Sequence, residues 1–436
     1  MNVTARVLDH PSRRRPAGAP PPAAGTAAPG VEGQGRRAPA RWRRVAAVLA
    51  VPAAMLVASL AFRAMGLLQA VIDTDEGLYL VQAQAWLRGD WPLISVWDMH
   101  PVGGPAMFAL SILAFGESVG AVRLLGILCA AATGWALYGL VQAAGGGRGL
   151  GVGAGLLYIA QTVQLRGLAT NTEILFAPFA AAAMAVAACA AARAIRAGAP
   201  PRWRELCAMG LLIGAAVAIK QVVALEGCLA FALLTFPALR ARALPVRRFL
   251  GMALAYAALC ALPTALFALA YWLRGGLEVF LDSLFVAPFR YSLGRLGLWE
   301  ASQPISAAVA TLLWPMLLAG IGVARWCQRR RPAEDGDGGD TAGTGGGSVA
   351  PEALLARVGL LWFVVGTLAI AGPGYFYPHY FLIWLPALSV LGALGAASLA
   401  RMARPRLAAA AFAGIIGVTA ADGWRSDAAP RLDRGI

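Results

Sequence analysis

The chain has 436 residues, of which 59% are hydrophobic and only 14% are charged, and its net charge at neutral pH is +15. So few charged residues exclude an ordinary soluble domain, and the long apolar runs indicate membrane-spanning helices. The positive charge does not indicate a nucleic-acid partner, because the arginines lie in short clusters between apolar runs, as in cytoplasmic loops of membrane proteins. The predicted fold class is an all-α polytopic membrane protein.

The first segment, residues 1–44, is rich in Pro, Ala, Gly and Arg. This composition cannot bury enough apolar surface to fold, so we expect a disordered, basic cytoplasmic tail. The transmembrane domain is then predicted over residues 45–424, with a cytoplasmic linker at 325–357 and a short polar tail at 425–436.

Apolar runs predict about eleven membrane spans, at 45–66, 119–143, 150–167, 174–192, 206–220, 222–239, 249–272, 303–324, 358–372, 379–400 and 407–422. A twelfth run, 102–115, is predicted to be a short juxtamembrane or re-entrant helix, because only then do the arginine clusters between the spans fall on the cytoplasmic side. With a cytoplasmic N-terminus, the segments predicted to lie outside are 73–105, 170–173, 220–221, 274–303 and 372–379.

The first external loop contains the acids Asp73, Asp75 and Glu76. Asp73 and Glu76 have the spacing of a capping box that opens a helix near Gly77. That structural explanation leaves Asp75 unexplained. Since a carboxylate at the membrane surface can act as a general base toward a substrate hydroxyl, Asp75 is the first catalytic candidate.

Cations and one further acid occur in the other external segments. Lys220 is the only lysine, and it either snorkels at a helix end or binds a lipid-linked phosphate as a leaving group. Glu173 either caps the following helix or contacts a ligand. Arg290 and Arg295 make an external segment basic, which an anionic ligand such as a lipid phosphate would explain.

His100 and His379 each lie beside a proline in an external segment. Either side chain can bond a helix end, and two histidines with a carboxylate can also form a metal site, but nothing in the spacing selects a metal. None of the six cysteines has the spacing of zinc ligands. No cofactor is therefore assigned, and a divalent metal stays an open alternative.

Several short motifs, in order, resemble the first-loop pattern of GT-C membrane glycosyltransferases of the protein O-mannosyltransferase and aminoarabinose transferase type. They are Asp75-Glu76-Gly77 with Tyr79, Gly89-Asp90-Trp91, His100-Pro101, Phe115-Gly116-Glu117-Ser118 and Arg123. Later matches are Glu173, the stretch 214–221, and Pro378-His379-Tyr380-Phe381 with Leu385-Pro386. The chain departs from the pattern after His100-Pro101, where it lacks a second proline.

The resemblance implies an inverting transferase that moves a sugar from a polyprenyl phosphate to an acceptor hydroxyl or phosphate on the extracytoplasmic face of the plasma membrane. Asp75 would deprotonate the acceptor, with Glu76 as the second catalytic carboxylate. The lipid phosphate would be neutralised by Lys220, Arg290 and Arg295, and the contacts to sugar or acceptor would come from Asp73, His100, Glu173, His379 and Tyr380. Its partners would be the donor, a lipid, polysaccharide or protein acceptor, and membrane lipids; no nucleic acid is expected.

A transporter or flippase of a lipid-linked envelope precursor is the competing interpretation, since it also needs apolar helices and external cations. The spans contain few charges and no clear internal repeat, whereas the acids concentrate in one external loop, which favours the transferase. A third interpretation, a membrane scaffold without activity, predicts that Asp75→Asn has no effect.

Overall fold

A computed structural model describes residues 38–68, 72–328, 351–402 and 410–423, except 411 and 420. The chain divides into two compact units, Met1–Val48 and Leu49–Ile436, and the second unit contains every predicted external segment. The first helix begins at Ala38, inside the predicted tail, because alanine and arginine favour helix and extend it ahead of the apolar run. The rest of that tail, the linker residues 329–350 and the polar tail lie outside the described residues.

The regular secondary structure of the described residues is entirely helical, with no strand. In chain order the helices are α1 (Ala38–Arg63), α2 (Thr74–Leu87), α3 (Gly103–Phe115), α4 (Val119–Ala144), α5 (Arg148–Gln161), α6 (Thr172–Ala197), α7 (Trp203–Val217), α8 (Ala224–Arg240), α9 (Val246–Leu273), α10 (Leu277–Leu281), α11 (Ala287–Ser292), α12 (Leu298–Thr311), α13 (Leu313–Gln328), α14 (Pro351–Ala371) and α15 (Leu385–Met402). Short 3₁₀ turns precede α8 and α15, at Gln221–Val223 and Pro378–Trp384.

Among the described residues, seven segments are long and apolar enough to cross a membrane: Leu49–Leu68, Val119–Ala144, Thr172–Ala197, Gln221–Arg240, Val246–Leu273, Pro351–Ala371 and Pro378–Met402. The pair α12 and α13, bent by 75°, makes eight if it is one broken span. The chain is therefore a multi-pass membrane protein by length and composition, and the predicted count of about eleven is not confirmed.

Two short helices account for part of that difference. α5 has 14 residues and α7 has 15, so at 1.5 Å per residue each is well short of a hydrocarbon core of about 30 Å. α3, with 13 residues, is likewise too short to span, as predicted for the run 102–115. The predicted span 407–422 lies partly outside the described residues.

α6 lies at the centre of the helix packing, where α4, α7 and α8 contact it. Its buried side chains are mostly alanines, and small side chains let neighbouring membrane helices approach closely. α15 is also largely buried, and it packs on α5, α13 and α14. This packing fixes the first turn of α6 and the turn before α15, where the candidate site residues Glu173 and His379 are found.

Candidate functional site

Several helix beginnings meet at one end of this bundle. Asp73 is the N-cap of α2, and its side chain accepts a hydrogen bond from the Asp75 amide at 3.1 Å, as the capping hypothesis predicted. Gly103, at the start of α3, donates to the Ala218 carbonyl at 2.9 Å. A Cβ at Gly103 would clash with that carbonyl, so the close approach requires glycine. Because helix N-termini carry partial positive charge, this end suits anionic groups.

The imidazole of His379 lies between the two aspartates of the first loop. Its Nδ1 is 3.5 Å from Asp73 Oδ2, and its Nε2 is 3.6 Å from Asp75 Oδ2. His379 belongs to the 3₁₀ turn that begins with Pro378, so the two ends of the transmembrane unit both contribute to this cluster. We name Asp73, Asp75 and His379 the acid–histidine cluster.

The two aspartates have different environments. The Asp73 side chain is only 2% exposed, whereas that of Asp75 is 35% exposed and can reach a ligand. Burial tends to raise the pKa of Asp73, but His379, the Asp75 amide and the Arg166 charge outweigh it, and that pKa is lowered. Burial raises the pKa of Asp75, against the opposing influence of His379 and His100. One carboxylate thus stays ionised while the other is the stronger base.

The acid–histidine cluster also has the composition of a metal site. Each residue offers one ligand atom, and the three atoms lie within 4.8 Å of one another. Asp73 Oδ2 and His379 Nδ1 are buried and have no well-formed hydrogen bond within the described part of the chain. Carboxylate oxygens and imidazole nitrogens are ligands for several divalent cations, so these three residues are the ones that could hold such an ion.

Lys220 is held in a buried ion pair beside this cluster. Its Nζ lies 2.5 Å from Glu173 Oε1, and the two side chains are 6% and 0% exposed. The ammonium also lies 4.5 Å from the centroid of the Tyr380 ring, and that ring packs edge-on against His379. The structure therefore brings together four residues that the sequence predicted for the site, Glu173, Lys220, His379 and Tyr380. Lys220 does not extend to the surface as a snorkelling side chain would.

His100 lies close enough to Asp75 to lower its pKa, and it forms a pair with Asp98. Its Nδ1 is 3.0 Å from Asp98 Oδ2, which orients the ring. The Tyr79 ring packs edge-on against it, with centroids 5.9 Å apart. The predicted residue His100 is thus part of the site, and Asp98 is its positioning partner.

Glu76 does not face the cluster. Both of its oxygens accept hydrogen bonds from Arg123, at 2.6 and 2.5 Å, and Oε1 also accepts from the Thr170 amide at 2.7 Å. Glu76 and Arg123 are both buried. Glu76 therefore joins α2 to α4 and to the loop before α6. In a capping box its carboxylate would accept a hydrogen bond from the Asp73 amide, but here its partner is Arg123.

Among the described residues, no hydrogen bond or ion pair joins Arg290 or Arg295 to the acid–histidine cluster or to each other. Arg290 pairs with Asp282 at 2.6 Å on an exposed surface, so its charge is already neutralised. Arg295 is exposed, and its Nε donates to the Ser292 carbonyl at 3.3 Å. Arg295 has no ion pair among the described residues, so it is the freer of the two predicted phosphate ligands.

Three residues near the site were not singled out for their roles from the sequence. Arg123 lies in an apolar span, and a charge there signals a buried acidic partner, which is Glu76. Arg166 lies 3.7 Å from Asp73 and has a left-handed backbone with φ 60°, which no local motif indicated. Asp98 could have been found from its position two residues before His100.

Comparison of the sequence with models of known protein families gives no match, and comparison with curated proteins gives none either. The similarity to GT-C transferases is therefore carried by the motifs alone.

Proposed function

We propose that this protein is an integral-membrane glycosyltransferase that moves a sugar from a polyprenyl phosphate to an acceptor hydroxyl, with inversion at the anomeric carbon. The proposed fold is of the GT-C type, the proposed location is the plasma membrane with the N-terminus in the cytoplasm, and the site would face the extracytoplasmic side. The acceptor is a lipid, polysaccharide or protein hydroxyl.

The observation that carries the proposal is the acid–histidine cluster. Asp75 is half-buried with a raised pKa, and the imidazole of His379 lies 3.6 Å from it and 3.5 Å from a second carboxylate. A general base needs to be deprotonated, accessible and basic enough to accept a proton, and Asp75 meets these requirements better than its buried neighbour Asp73. The motifs that resemble GT-C transferases add support, because Asp75 and His379 belong to two of them.

In the proposed reaction Asp75 accepts the proton of the acceptor hydroxyl. The hydroxyl oxygen forms a bond to the anomeric carbon as the bond from that carbon to the phosphate oxygen breaks, and the polyprenyl phosphate leaves with the bonding electron pair. Asp73 stays ionised and holds His379, whose ring fixes the position of Asp75. His100, oriented by Asp98, is proposed to bind the sugar or the acceptor.

Negative charge grows on the phosphate as it leaves, so the site has to stabilise an anion. The Lys220 ammonium, the surrounding helix N-termini and Arg295 supply positive potential. Glu173 partly neutralises the Lys220 ammonium, which lies beside the acid–histidine cluster, so we assign Lys220 to the end of the phosphate next to the sugar. Arg295 is assigned to the lipid side of the phosphate. Glu76 is proposed to position α2 and not to take part in proton transfer.

One observation favours the second candidate, a transporter or flippase of a lipid-linked precursor. Glu226 lies within a candidate span and is 2% exposed, and it accepts a hydrogen bond from the Trp362 indole at 3.0 Å. Acidic side chains inside spans commonly take part in proton or substrate translocation. A single acid bonded to an indole also serves helix packing, so we rank transport second.

A doubly labelled donor separates the two functions. Proteoliposomes receive a polyprenyl-phosphate sugar with one isotope in the sugar and another in the lipid, together with membrane acceptors. A transferase moves the sugar isotope alone to the acceptor and leaves the lipid isotope in polyprenyl phosphate. Movement of both isotopes together across the bilayer, without separation, would reject the transferase and support transport.

A further inference from the structure

A surface groove lies between the first loop and the segment that follows α9. Its volume is about 900 Å³, within the usual range for small-ligand sites. Trp97 is the lining residue from the first loop, and the following segment contributes Glu278, Leu281, Asp282, Phe285 and Val286. The groove therefore combines an indole and apolar side chains with two carboxylates that the proposed reaction does not use.

The segment after α9 has a buried face and an exposed apolar face. It consists of α10, a π-helical turn at Asp282–Val286 and α11. Phe280 and Leu284 are buried against the end of α9, whereas Leu281 and Phe285 are 42% and 54% exposed. An exposed apolar face on an amphipathic helix is typical of a segment that lies on a membrane surface. The groove thus has a wall that is packed from behind and apolar in front.

The groove lies at the end of a candidate span. α9 ends at Leu273, directly before the turn that leads into α10. Trp272 and Trp97 are 60% and 55% exposed, and tryptophan prefers the boundary between lipid and water. The Tyr271 hydroxyl donates to the Pro92 carbonyl at 2.5 Å, which joins the first loop to the end of α9. With α9 in the membrane, the groove is therefore at the level of the lipid headgroups.

Charges of both signs are found together at this groove. Glu278 is exposed, and its side chain has no ion pair or hydrogen bond in the part of the chain that the structure describes. Asp282 follows one helical turn later, so the two carboxylates are neighbours on the same face. Asp282 in turn accepts a hydrogen bond from Arg290 at 2.6 Å, and the Arg290 side chain is 61% exposed. An unpaired acid and an accessible cation are thus both neighbours of Asp282.

A headgroup that carries an ammonium and a phosphate is complementary to these charges. The ammonium can donate to Glu278 and Asp282 and lie against the Trp97 ring, because carboxylates and indoles both attract cations. The phosphate can accept from Arg290. The Asp282–Arg290 pair can open onto such a headgroup without leaving a charge unpaired, since each of the two side chains gains an opposite charge. A lipid whose headgroup is only anionic would be repelled by Glu278.

We propose that this groove binds an ethanolamine phospholipid, with its ammonium at Glu278 and Asp282, its phosphate at Arg290 and its acyl chains against Leu281 and Phe285. The inference goes beyond the proposed function, because this lipid is bound intact and takes no part in sugar transfer. A basic protein segment would share the ammonium contacts, but it would leave Arg290 and the apolar face unused. The lipid is therefore the occupant that uses every feature of the groove.

The headgroup preference of the purified, full-length protein tests the proposal. The protein is titrated in detergent with radiolabelled dioleoyl phosphatidylethanolamine, and the unlabelled glycerol and choline lipids are added as competitors. We expect the ethanolamine lipid to bind about tenfold more tightly than phosphatidylglycerol, which has no ammonium. We expect it to bind about threefold more tightly than phosphatidylcholine, whose ammonium donates no hydrogen bond. Equal binding of the ethanolamine and glycerol lipids would overturn the assignment.

Single substitutions locate the bound headgroup. Glu278→Gln and Arg290→Gln are each expected to weaken binding of the ethanolamine lipid about tenfold, and Trp97→Ala about threefold. The matched controls are Glu117→Gln, Arg88→Gln and Trp299→Ala. All three control residues are exposed and lie outside the groove, so these variants should bind within twofold of wild type.

Two further results would reject the lipid. One is binding within twofold of wild type for both Glu278→Gln and Arg290→Gln. The other is displacement of the labelled lipid by a tetralysine peptide at a lower concentration than by the unlabelled lipid, which would assign the groove to a basic protein segment. Because no sugar donor is present, a failure of the transferase proposal would leave these results readable.

Discussion

Nε2 of His379 lies 3.6 Å from Oδ2 of Asp75, although His379 belongs to the 3₁₀ turn before α15 and Asp75 to the first turn of α2. The same ring lies 3.5 Å from Asp73, so one imidazole joins two carboxylates whose pKa values move in opposite directions. The two carboxylates therefore differ in proton affinity, and that difference is why we propose Asp75 and not Asp73 as the base.

The pH dependence of transfer should report Asp75. Only its ionised form accepts a proton, so the rate should fall as pH decreases through a pKa above the ordinary aspartate value, which burial raises. The His379 charge opposes that rise, so His379→Gln should move the acid limb to higher pH. Transfer rates measured from pH 4 to 9 for wild type and His379→Gln check this. An acid limb at the same pH in both proteins would mean that His379 does not influence the pKa of Asp75.

The Lys220–Glu173 pair makes a prediction about stability. Lys220→Met leaves the buried Glu173 carboxylate without its partner, which should cost about 3–5 kcal/mol. The double substitution Lys220→Met with Glu173→Gln removes both charges and should recover more than half of that loss. Thermal unfolding in detergent, followed by size-exclusion chromatography, measures the stabilities of wild type, the two single variants and the double variant.

Transfer by the same double variant tests whether the pair has a role beyond stability. If Lys220 stabilises the leaving phosphate, the recovered protein should still transfer sugar at least tenfold more slowly than wild type. Wild-type rates in a stable double variant would reduce the pair to a structural contact.

The segments that meet at the site could be predicted from the sequence, but their pairings could not. Hydropathy and arginine positions grouped Asp75, Lys220 and His379 in segments that the structure does bring together. They could not indicate that Glu173 takes Lys220 or that Arg123 takes Glu76, because these contacts depend on helix rotation and packing. The span count differs for another reason, since α5 and α7 are largely apolar but have only 14 and 15 residues, which is too short to cross.

Glu76 should behave as a structural residue. Glu76→Gln weakens a buried bidentate pair with Arg123 and should lower the free energy of unfolding by up to about 3–5 kcal/mol. The transfer rate per folded molecule should stay within a few-fold of wild type. A folded Glu76→Gln protein without activity would restore Glu76 to the catalytic role that the first-loop motif implied.

Chelation tests whether the acid–histidine cluster acts through a metal. With Asp75 as a free base, EDTA treatment should change transfer by less than twofold. A large loss that manganese or magnesium reverses would instead make Asp73, Asp75 and His379 ligands of a divalent ion. In that case Asp75 would be assigned to metal binding.

The most direct test of Asp75 as the catalytic base compares Asp75→Asn with Asp90→Asn, an exposed acid in the same loop. Each purified protein is given a panel of radiolabelled polyprenyl-phosphate sugars, and both sugar transfer and decaprenyl phosphate binding are measured. We expect Asp75→Asn to lose about 100-fold or more in transfer while binding normally, and Asp90→Asn to match wild type. Full transfer by Asp75→Asn on a donor that the wild type consumes would contradict the assignment of Asp75 as the base.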